Sequence, residues 1–178
     1  VDTFHGKDKA ALLARFREDT YRAIAEGISL NPILHSFQQC VNTYGIGREL
    51  IDPFLDSMAM DLQRKDHDQV SFTTYVMGSA EVVGLMCLRV FCEGNEADYQ
   101  RLKPAAVRLG AAFQKVNFLR DIQDDLGSLG RNYFPEVVAE RFDEGMKRNV
   151  ENEMENDFKA ALVGIRALPR TARLGVYI

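Results

Sequence analysis

The sequence has little that would support a disulfide-stabilised, zinc-binding or nucleic-acid-binding protein. Its three cysteines, Cys40, Cys87 and Cys92, are an odd number with no spacing typical of a disulfide framework or a zinc site. Cys87 and Cys92 lie in an apolar run, which predicts ordinary core residues in a reducing cytoplasm. With 22 basic and 26 acidic residues the formal net charge is −4, so nucleic acid is not an expected partner.

The sequence also lacks an uninterrupted apolar run of the kind that crosses a membrane. Residues 1–13 contain no apolar segment typical of a signal peptide. The most hydrophobic stretch, 75–92, is interrupted by Glu81 and Arg89, and each charge at mid-membrane would cost about 2.5–3.5 kcal/mol. A buried core helix is therefore predicted for this stretch.

Helical spacing of apolar residues runs through nearly the whole sequence, without an alternating strand pattern. The spacing and the helix breakers predict helices over 8–26, 31–44, 48–63, 71–92, 96–101, 104–126, 136–142 and 143–167. Within the last of these, the charged segment ENEMENDFK (151–159) is expected to form a solvated face. Residues 1–178 are predicted to form a single all-α domain, and its abrupt ends suggest a piece of a longer protein.

Negative charge is concentrated in the stretch NFLRDIQDDLGSLGRNYFP, residues 117–135. At about 100° per residue, Gln114, Asn117, Asp121, Asp124 and Asp125 share one arc of about 100° on a helix. A solvated surface stripe is one interpretation. Against it, like charges one turn apart destabilise a helix by about 0.2–0.5 kcal/mol. Anions near a helix C-terminus also oppose the macrodipole. The pattern therefore favours a cation site.

Oxygen ligands of this kind suit Mg²⁺, with Mn²⁺ as an alternative, and leave metal positions open for phosphate oxygens. No histidine lies in this stretch, which argues against zinc or non-haem iron. Arg131 and Tyr133 are candidates for contact with the same phosphates, because a guanidinium fork matches phosphate oxygens. A helix C-terminal cap is the alternative for Arg131. The residues thus predict a helical cavity with Mg²⁺ and a phosphorylated ligand.

The same stretch resembles the second aspartate-rich motif of the squalene and phytoene synthases, N-x-x-x-D-x-x-(E/D)-D followed by R-x-Y-x-P. The matching residues are Asn117, Asp121, Asp124, Asp125, Arg131, Tyr133 and Pro135. The segment SMAMDLQ (57–63) resembles the family's segment ending in Asp-Leu. Asp2 resembles the last aspartate of the family's first aspartate-rich motif. We expect the helix that carries the rest of that motif, and the C-terminal helices, to lie outside this sequence.

A second stretch, YVMGSAEVVGLM (75–86), resembles the family's Tyr-x-x-x-x-Ala-x-x-Val-Gly helix, which lines the prenyl cavity. Independently of the family, several of its side chains are small: Gly78, Ser79, Ala80 and Gly84. Either another helix or a long ligand can therefore approach this helix closely, and the sequence leaves both interpretations open.

The resemblance implies an isoprenoid-synthase-type helical bundle around a central cavity and an Mg²⁺-dependent, head-to-head condensation of two prenyl diphosphates. It implies catalytic roles for Asp121, Asp125 and Tyr75. It implies a metal site formed by Asp2, Asn117, Asp121 and Asp125. It implies substrate binding by Gln114, Arg120, Arg131, Tyr133, Ala80, Val83 and Gly84.

Phytoene formation from two geranylgeranyl diphosphates, in carotenoid biosynthesis, is the reaction that we expect. Squalene or dehydrosqualene formation from farnesyl diphosphate is the first alternative, and NADPH would be needed only for squalene. A helical scaffold of the same fold without catalysis is the second. A head-to-tail synthase or a terpene cyclase would share the fold but typically shows other aspartate spacings. The lipidic substrates make peripheral contact with the inner face of the membrane compatible with a cytoplasmic protein, and the sequence predicts no oligomeric state.

Overall fold

The computed structural model describes residues 6–63, 68–124 and 144–176, except for the side chains of 122–124. Within these ranges every regular element is helical, which confirms the predicted all-α class. The elements are α1 (Lys9–Glu26), α2 (Pro32–Tyr44), α3 (Arg48–Gln63), α4 (Gln69–Val76), a π-helical turn (Met77–Glu81), α5 (Val82–Phe91), α6 (Glu96–Asp124), α7 (Glu144–Arg166) and α8 (Arg170–Val176).

The first two helices begin and end where their capping residues predict. The Asp8 carboxylate accepts a hydrogen bond from the backbone N–H of Ala11 at 3.0 Å, which fixes the start of α1. The Asn31 side chain does the same for the N–H of Ile33, also at 3.0 Å, with Pro32 in the first turn of α2. Gly27 ends α1 in the left-handed conformation, with φ of 69°.

The apolar helix predicted over 71–92 is not one regular helix. Asp68 caps α4 earlier than predicted, since its carboxylate accepts from the N–H of Ser71 at 2.8 Å. The π-helical turn then separates α4 from α5. Such a turn inserts one residue and rotates the side chains that follow, and it is frequent at functional sites. Periodicity did not reveal it, because one extra residue shifts an apolar pattern only slightly.

The prediction of two helices separated before Pro104 is wrong. Glu96–Asp124 is a single helix with Pro104 inside it. A proline in a helix removes one backbone hydrogen bond. Burial of Tyr99 and Leu102 on one side of Pro104, and of Ala111 and Ala112 on the other, keeps the segment continuous. Tertiary packing therefore overrides the local signal.

The helix α7 agrees closely with the predicted 143–167, but its charged segment is not wholly solvated. Asp157 is buried, with 3% of its surface exposed, whereas Glu151, Glu153 and Glu155 are exposed as predicted. The short helix predicted over 136–142 lies outside the described residues.

The long helix α6 is at the centre of the bundle and packs against α5, the π-helical turn and α7. One apolar cluster joins α2, α3, α5 and α6, with Leu50, Leu85 and Leu102 among its members. A second, smaller cluster contains Tyr75, Val76, Ala111 and Phe118. Together these clusters fix the rotation of α5 and α6 about their axes.

The continuous helical stretch Gln69–Phe91 has the length and apolar composition of a membrane span. In this structure it packs against α3 and α6 at the centre of the bundle, as a core helix does. Core positions were predicted for Cys87, in this stretch, and for Cys92, just after it; Cys92 is buried, but Cys87 is exposed, so the prediction is wrong for Cys87. The reason is a cavity on that side of α5, described next.

Candidate active site

A cavity of about 630 Å³ lies between α5, α6, α7 and α8. Its volume is in the range of small-molecule binding sites in proteins, about 300–1,000 Å³. Its walls are mostly apolar, and the lining residues are Ser79, Ala80, Val83, Gly84, Cys87, Leu88, Phe91, Leu102, Ala105, Ala106, Leu109, Gly110, Phe113, Gln114, Asn117, Ala161, Gly164, Ile165, Leu168, Gly175 and Val176.

Each helix contributes one face to the cavity. On α6 the lining positions recur every three or four residues from Leu102 to Asn117, as one side of a helix requires. On the π-helical turn and α5 they run from Ala80 to Phe91 in the same way. Ala80, Val83 and Gly84, which the family resemblance assigns to the substrate, all lie on this wall.

The small residues serve both interpretations that the sequence left open. A Cβ atom built on Gly110 would lie 2.7 Å from the carbonyl oxygen of Ala80, and one on Gly84 would lie 3.0 Å from that of Ala106. Both glycines therefore let α6 approach the π-helical turn and α5, and both also line the cavity. Gly78 instead packs against the backbone of Pro53 on α3.

Polar side chains are concentrated at one end of the cavity, which we call the polar end, formed by Gln114 and Asn117 of α6. Ser79 also lines the cavity, but its hydroxyl donates to the backbone carbonyl of Tyr75 at 2.7 Å. Phe91, Leu102 and Leu168 line the opposite end. The cavity thus combines a long apolar chamber with an amide-bearing end.

One turn beyond Asn117, Asp121 is paired with Arg120. Two hydrogen bonds of 2.7 Å join the guanidinium to both carboxylate oxygens. This pairing lowers the pKa of the Asp121 carboxyl, so the group is an anion at neutral pH. The side chains remain accessible, with 66% of Arg120 and 43% of Asp121 exposed. Neither lines the cavity, and Arg120 contacts the aspartate next to it.

Tyr75 is buried, with 5% of its surface exposed, and is not part of the cavity lining. Its ring packs against Phe118, the neighbour of Asn117, with centroids 6.0 Å apart. Its hydroxyl donates to a carboxylate oxygen of Asp61 at 3.0 Å. Tyr75 therefore packs against the helix that carries Asn117, and its hydrogen bond to Asp61, in the Asp-Leu segment, was not predicted from the sequence.

Several predicted site residues lie outside the described residues: Asp2, Asp125, Arg131 and Tyr133, together with the side chain of Asp124. Within the described ranges, no group of three or more histidine, cysteine, aspartate or glutamate side chains could hold a metal. What the described part does bring together is Asn117 and Asp121, one helical turn apart on α6. Amide and carboxylate oxygens suit Mg²⁺ or Mn²⁺. Asn117 and Asp121 are two of the four metal ligands that the family resemblance implies, and their chemistry fits such an ion.

A cluster of charges around the buried carboxylate of Asp157 was not predicted. We call it the α6–α7 ion cluster: Arg108 and Lys115 of α6 with Glu153 and Asp157 of α7. The Lys115 ammonium lies 3.0 Å from Asp157 and 2.8 Å from Glu153, and Arg108 lies 2.8 Å from Asp157. Burial alone would lower the pKa of Lys115, but the two carboxylates raise it. The cluster connects the two helices behind Gln114.

Glu81, the last residue of the π-helical turn, lies in the field of this cluster. Burial raises the pKa of its carboxyl, and the charge of Asp157 adds to that rise. Arg108 and Lys115 offset part of it. The sequence signal that could have indicated this ion cluster was the spacing of four residues between Glu153 and Asp157, which places both on one side of α7. It does not distinguish a buried carboxylate from the exposed ones around it.

Comparison with known proteins connects these features to one family. The squalene/phytoene synthase family matches residues 1–178. A presqualene diphosphate synthase of Rhodopseudomonas palustris is 30% identical over 141 residues, which are 76% of this chain and 47% of that protein. A 15-cis-phytoene synthase of Pantoea ananas is 32% identical over 162 residues, which are 90% of this chain and 48% of that protein. The chain therefore spans less than half the length of these relatives.

A solved structure gives the same fold. The crystal structure of squalene synthase HpnC from Alicyclobacillus acidocaldarius matches with a TM-score of 0.75 at 20% sequence identity. The match covers 97% of this chain and 72% of that one. The expected isoprenoid-synthase-type bundle is thereby confirmed at the level of the fold.

Proposed function

The chain belongs to the squalene/phytoene synthase family, and we propose that the protein containing it condenses two prenyl diphosphates head to head. We further propose that the substrate is geranylgeranyl diphosphate and the product phytoene. The observation that carries the proposal is the long apolar cavity with Gln114 and Asn117 at one end and Asp121 one turn beyond.

The length of the cavity supports a C20 substrate. Along α6 the lining runs from Leu102 to Asn117, which at the helical rise is about 22 Å. An extended chain reaches about 1.1–1.2 Å per bond, so four isoprene units span about 18 Å and three span about 14 Å. Both chains fit, but only the longer one would bring its last unit to Phe91 and Leu102 while its diphosphate lies near Asn117.

The polar end supports binding of the diphosphate. Asp121 is ionised and accessible, and Asn117 offers an amide oxygen one turn away. These two residues would hold Mg²⁺ or Mn²⁺, which when bound supplies positive charge to a departing diphosphate. Arg120 holds Asp121 through both oxygens, and it would orient that carboxylate. Gln114 faces the cavity and can donate its amide hydrogens to a phosphate oxygen.

The apolar walls support the chemistry that follows ionisation. In head-to-head coupling, one diphosphate leaves to form an allylic cation, the double bond of the second chain attacks it, and loss of a proton closes the ring of a cyclopropyl diphosphate. The second diphosphate then leaves, the cation rearranges, and loss of a second proton gives phytoene. Water would quench these cations, and the apolar side chains that line the chamber, such as Val83, Leu109 and Ile165, offer water no hydrogen-bond partner.

The test is product analysis with the gene product at its natural length. Geranylgeranyl and farnesyl diphosphates are supplied separately with Mg²⁺, and extracts are analysed by mass spectrometry. The proposal predicts a C40 hydrocarbon from the first substrate, lost when EDTA replaces Mg²⁺. If neither substrate is converted, the proposed reaction is contradicted, and a helical scaffold without catalysis is the interpretation that is left.

A second candidate is formation of presqualene diphosphate, or of squalene, from farnesyl diphosphate. It is favoured by the relative from Rhodopseudomonas palustris, whose name is presqualene diphosphate synthase. The same assay separates the two candidates: a C30 diphosphate that accumulates supports the second, and a C30 hydrocarbon that requires NADPH supports squalene formation.

A further inference from the structure

We propose that Cys87 and Phe91 of α5 together set the length of the prenyl chain that the cavity accepts, and the inference rests on the function proposed above. Both residues line the cavity. They are four residues apart in α5, which is about one helical turn or about 6 Å along the axis. One isoprene unit adds about 4.5 Å to an extended chain, so the two positions differ by little more than one unit.

Close backbone contacts fix the direction in which α5 runs along the cavity. A Cβ atom built on Gly84 would meet the carbonyl oxygen of Ala106, and one built on Gly110 would meet that of Ala80. Higher residue numbers on α5 therefore lie opposite lower numbers on α6, so the two helices are antiparallel. The end of α5 lies at the cavity end that is remote from Asn117.

This arrangement gives the distance of each position from the polar end. Measured along the helix axes from Asn117, the level of Cys87 is about 21 Å away and that of Phe91 about 27 Å away. The diphosphate itself takes up the first few ångströms. A C20 chain of about 18 Å then ends between the two levels, and a C15 chain of about 14 Å ends before Cys87. The fourth isoprene unit therefore lies beside Cys87.

Cys87 leaves room for this fourth unit. Its side chain is short and is exposed where it lines the cavity. The surrounding protein nevertheless withdraws the thiol from water and raises its pKa, so the group is uncharged at neutral pH and behaves as a small apolar side chain. A larger side chain at this position would occupy the space of the fourth unit and leave room for three.

Phe91 limits the chain at the next turn. The residue is half-buried and packs against the apolar cluster that contains Leu88, Leu102 and Leu168. Leu102 and Leu168 line the same end of the cavity and are 4% and 5% exposed. A fifth isoprene unit would therefore meet Phe91 where neighbouring side chains already hold it.

The first experiment measures binding by calorimetry. The full-length wild type and Cys87→Phe are titrated in Mg²⁺ with non-reactive thiodiphosphate analogues of farnesyl and geranylgeranyl diphosphate. We expect Cys87→Phe to bind the C20 analogue about 100-fold more weakly and the C15 analogue within about threefold of the wild type, because the ring fills the space of the fourth unit.

Two controls accompany this variant. Cys87→Ala keeps the space and should bind both analogues within about threefold of the wild type. Cys40→Phe makes the same exchange at an exposed cysteine of α2 that does not line the cavity, and it should change neither affinity.

The second experiment supplies a C25 diphosphate, one isoprene unit longer, and its thiodiphosphate analogue. Phe91→Ala removes the ring, so both kcat/KM for the C25 substrate and affinity for its analogue should rise at least about 10-fold over the wild type. Phe16→Ala, the same exchange at an exposed phenylalanine of α1, is the control and should raise neither. If Cys87→Phe or Phe91→Ala fails to fold, Cys87→Leu and Phe91→Leu change less volume and should shift the same affinities in the same directions.

The inference is overturned if the folded variants at position 87 bind the C20 analogue as tightly as Cys40→Phe does. It is also overturned if the folded variants at position 91 bind the C25 analogue no better than Phe16→Ala does. The proposed function fails separately, if the wild type forms no C40 hydrocarbon from geranylgeranyl diphosphate. The analogue affinities require no turnover, so they decide the inference in either case.

Discussion

Two aspartates on neighbouring helices are each paired with cations, and they differ in almost everything else. Asp121, beyond the polar end of the cavity, shares two hydrogen bonds with Arg120 and is 43% exposed. The Asp157 side chain, in the α6–α7 ion cluster, is 4% exposed and lies against Lys115, itself 15% exposed. An exposed pair contributes little to stability and can exchange partners, whereas a buried one cannot lose a partner without a large cost.

This difference assigns separate tasks to the two pairs. Because the pair of Asp121 and Arg120 is accessible to solvent, a cation from outside can compete for the carboxylate. Asp157 has its oxygens engaged by both Arg108 and Lys115. We therefore expect Asp121 to determine activity and Asp157 to determine stability.

The largest effect is expected from Asp157→Ala. Removing one partner of a buried ion pair leaves the other charge unpaired, so the free energy of unfolding should fall by about 3–5 kcal/mol. For a chain of this size that corresponds to a Tm about 10 °C lower, measured by circular dichroism. Below the new Tm, kcat should stay within about threefold of the wild type.

Glu153→Ala is the matched control, since Glu153 also contacts Lys115 but its side chain is 67% exposed. Its Tm should change by no more than about 2 °C. An equal fall in Tm for Asp157→Ala and Glu153→Ala would show that the burial of Asp157 does not make its ion pair more important for stability.

Asp121→Asn should have the opposite profile. The substitution keeps the shape but removes the charge, and we expect kcat/KM to fall about 100-fold or more. The Tm at neutral pH should change by no more than about 2 °C, because the residue is exposed. Glu155→Gln, which removes an exposed carboxylate paired with Lys159, is the control and should leave kcat/KM unchanged. A drop in Tm as large as that of Asp157→Ala would break the distinction between the two pairs.

An uncharged contact gives a third, intermediate effect. Gly110→Ala would bring a Cβ atom within 2.7 Å of the carbonyl oxygen of Ala80, so α6 and the π-helical turn must separate. We expect a loss of about 1–3 kcal/mol in the free energy of unfolding, measured by urea denaturation. Gly175→Ala meets no atom within 4 Å and should be neutral or slightly stabilising. A neutral Gly110→Ala would show that the two helices are not held at this distance.

The smallest effect concerns Glu81 and its dependence on pH. Burial and the charge of Asp157 raise the pKa of its carboxyl in the folded chain. The protonated form is therefore favoured by folding, and its contribution to stability is lost as pH rises through the raised pKa. Glu81→Gln should raise Tm by about 1–2 °C at pH 7 and leave it unchanged at pH 4. A lower Tm at pH 7 would mean that Glu81 is stabilised there as an anion.

Much of the fold could be predicted from the sequence, because its signals are local. Asp8 and Asn31 cap helices where they were expected to, and the glycines that follow α1 and α2 end them. The aspartate-rich stretch was identified by the spacing of residues within one helix, and the structure places Asn117 and Asp121 on α6 accordingly.

What could not be predicted depends on contacts between distant segments. Pro104 does not interrupt α6, because packing on both sides of it holds the helix together. Asp157 is buried only because Lys115, remote in sequence, lies opposite. The hydrogen bond between Asp61 and Tyr75 likewise joins two different helices. None of these relations has a periodic signature within one segment.

The most direct test of a diphosphate site that depends on Asp121 is calorimetric titration with a non-reactive thiodiphosphate analogue of geranylgeranyl diphosphate. The full-length wild type, Asp121→Asn and Glu153→Ala are each titrated in Mg²⁺ and in EDTA. We predict that Mg²⁺ strengthens binding at least about 10-fold in the wild type and in Glu153→Ala, but not in Asp121→Asn. Equal affinities in all three proteins, with and without Mg²⁺, would contradict a diphosphate site at the polar end of the cavity.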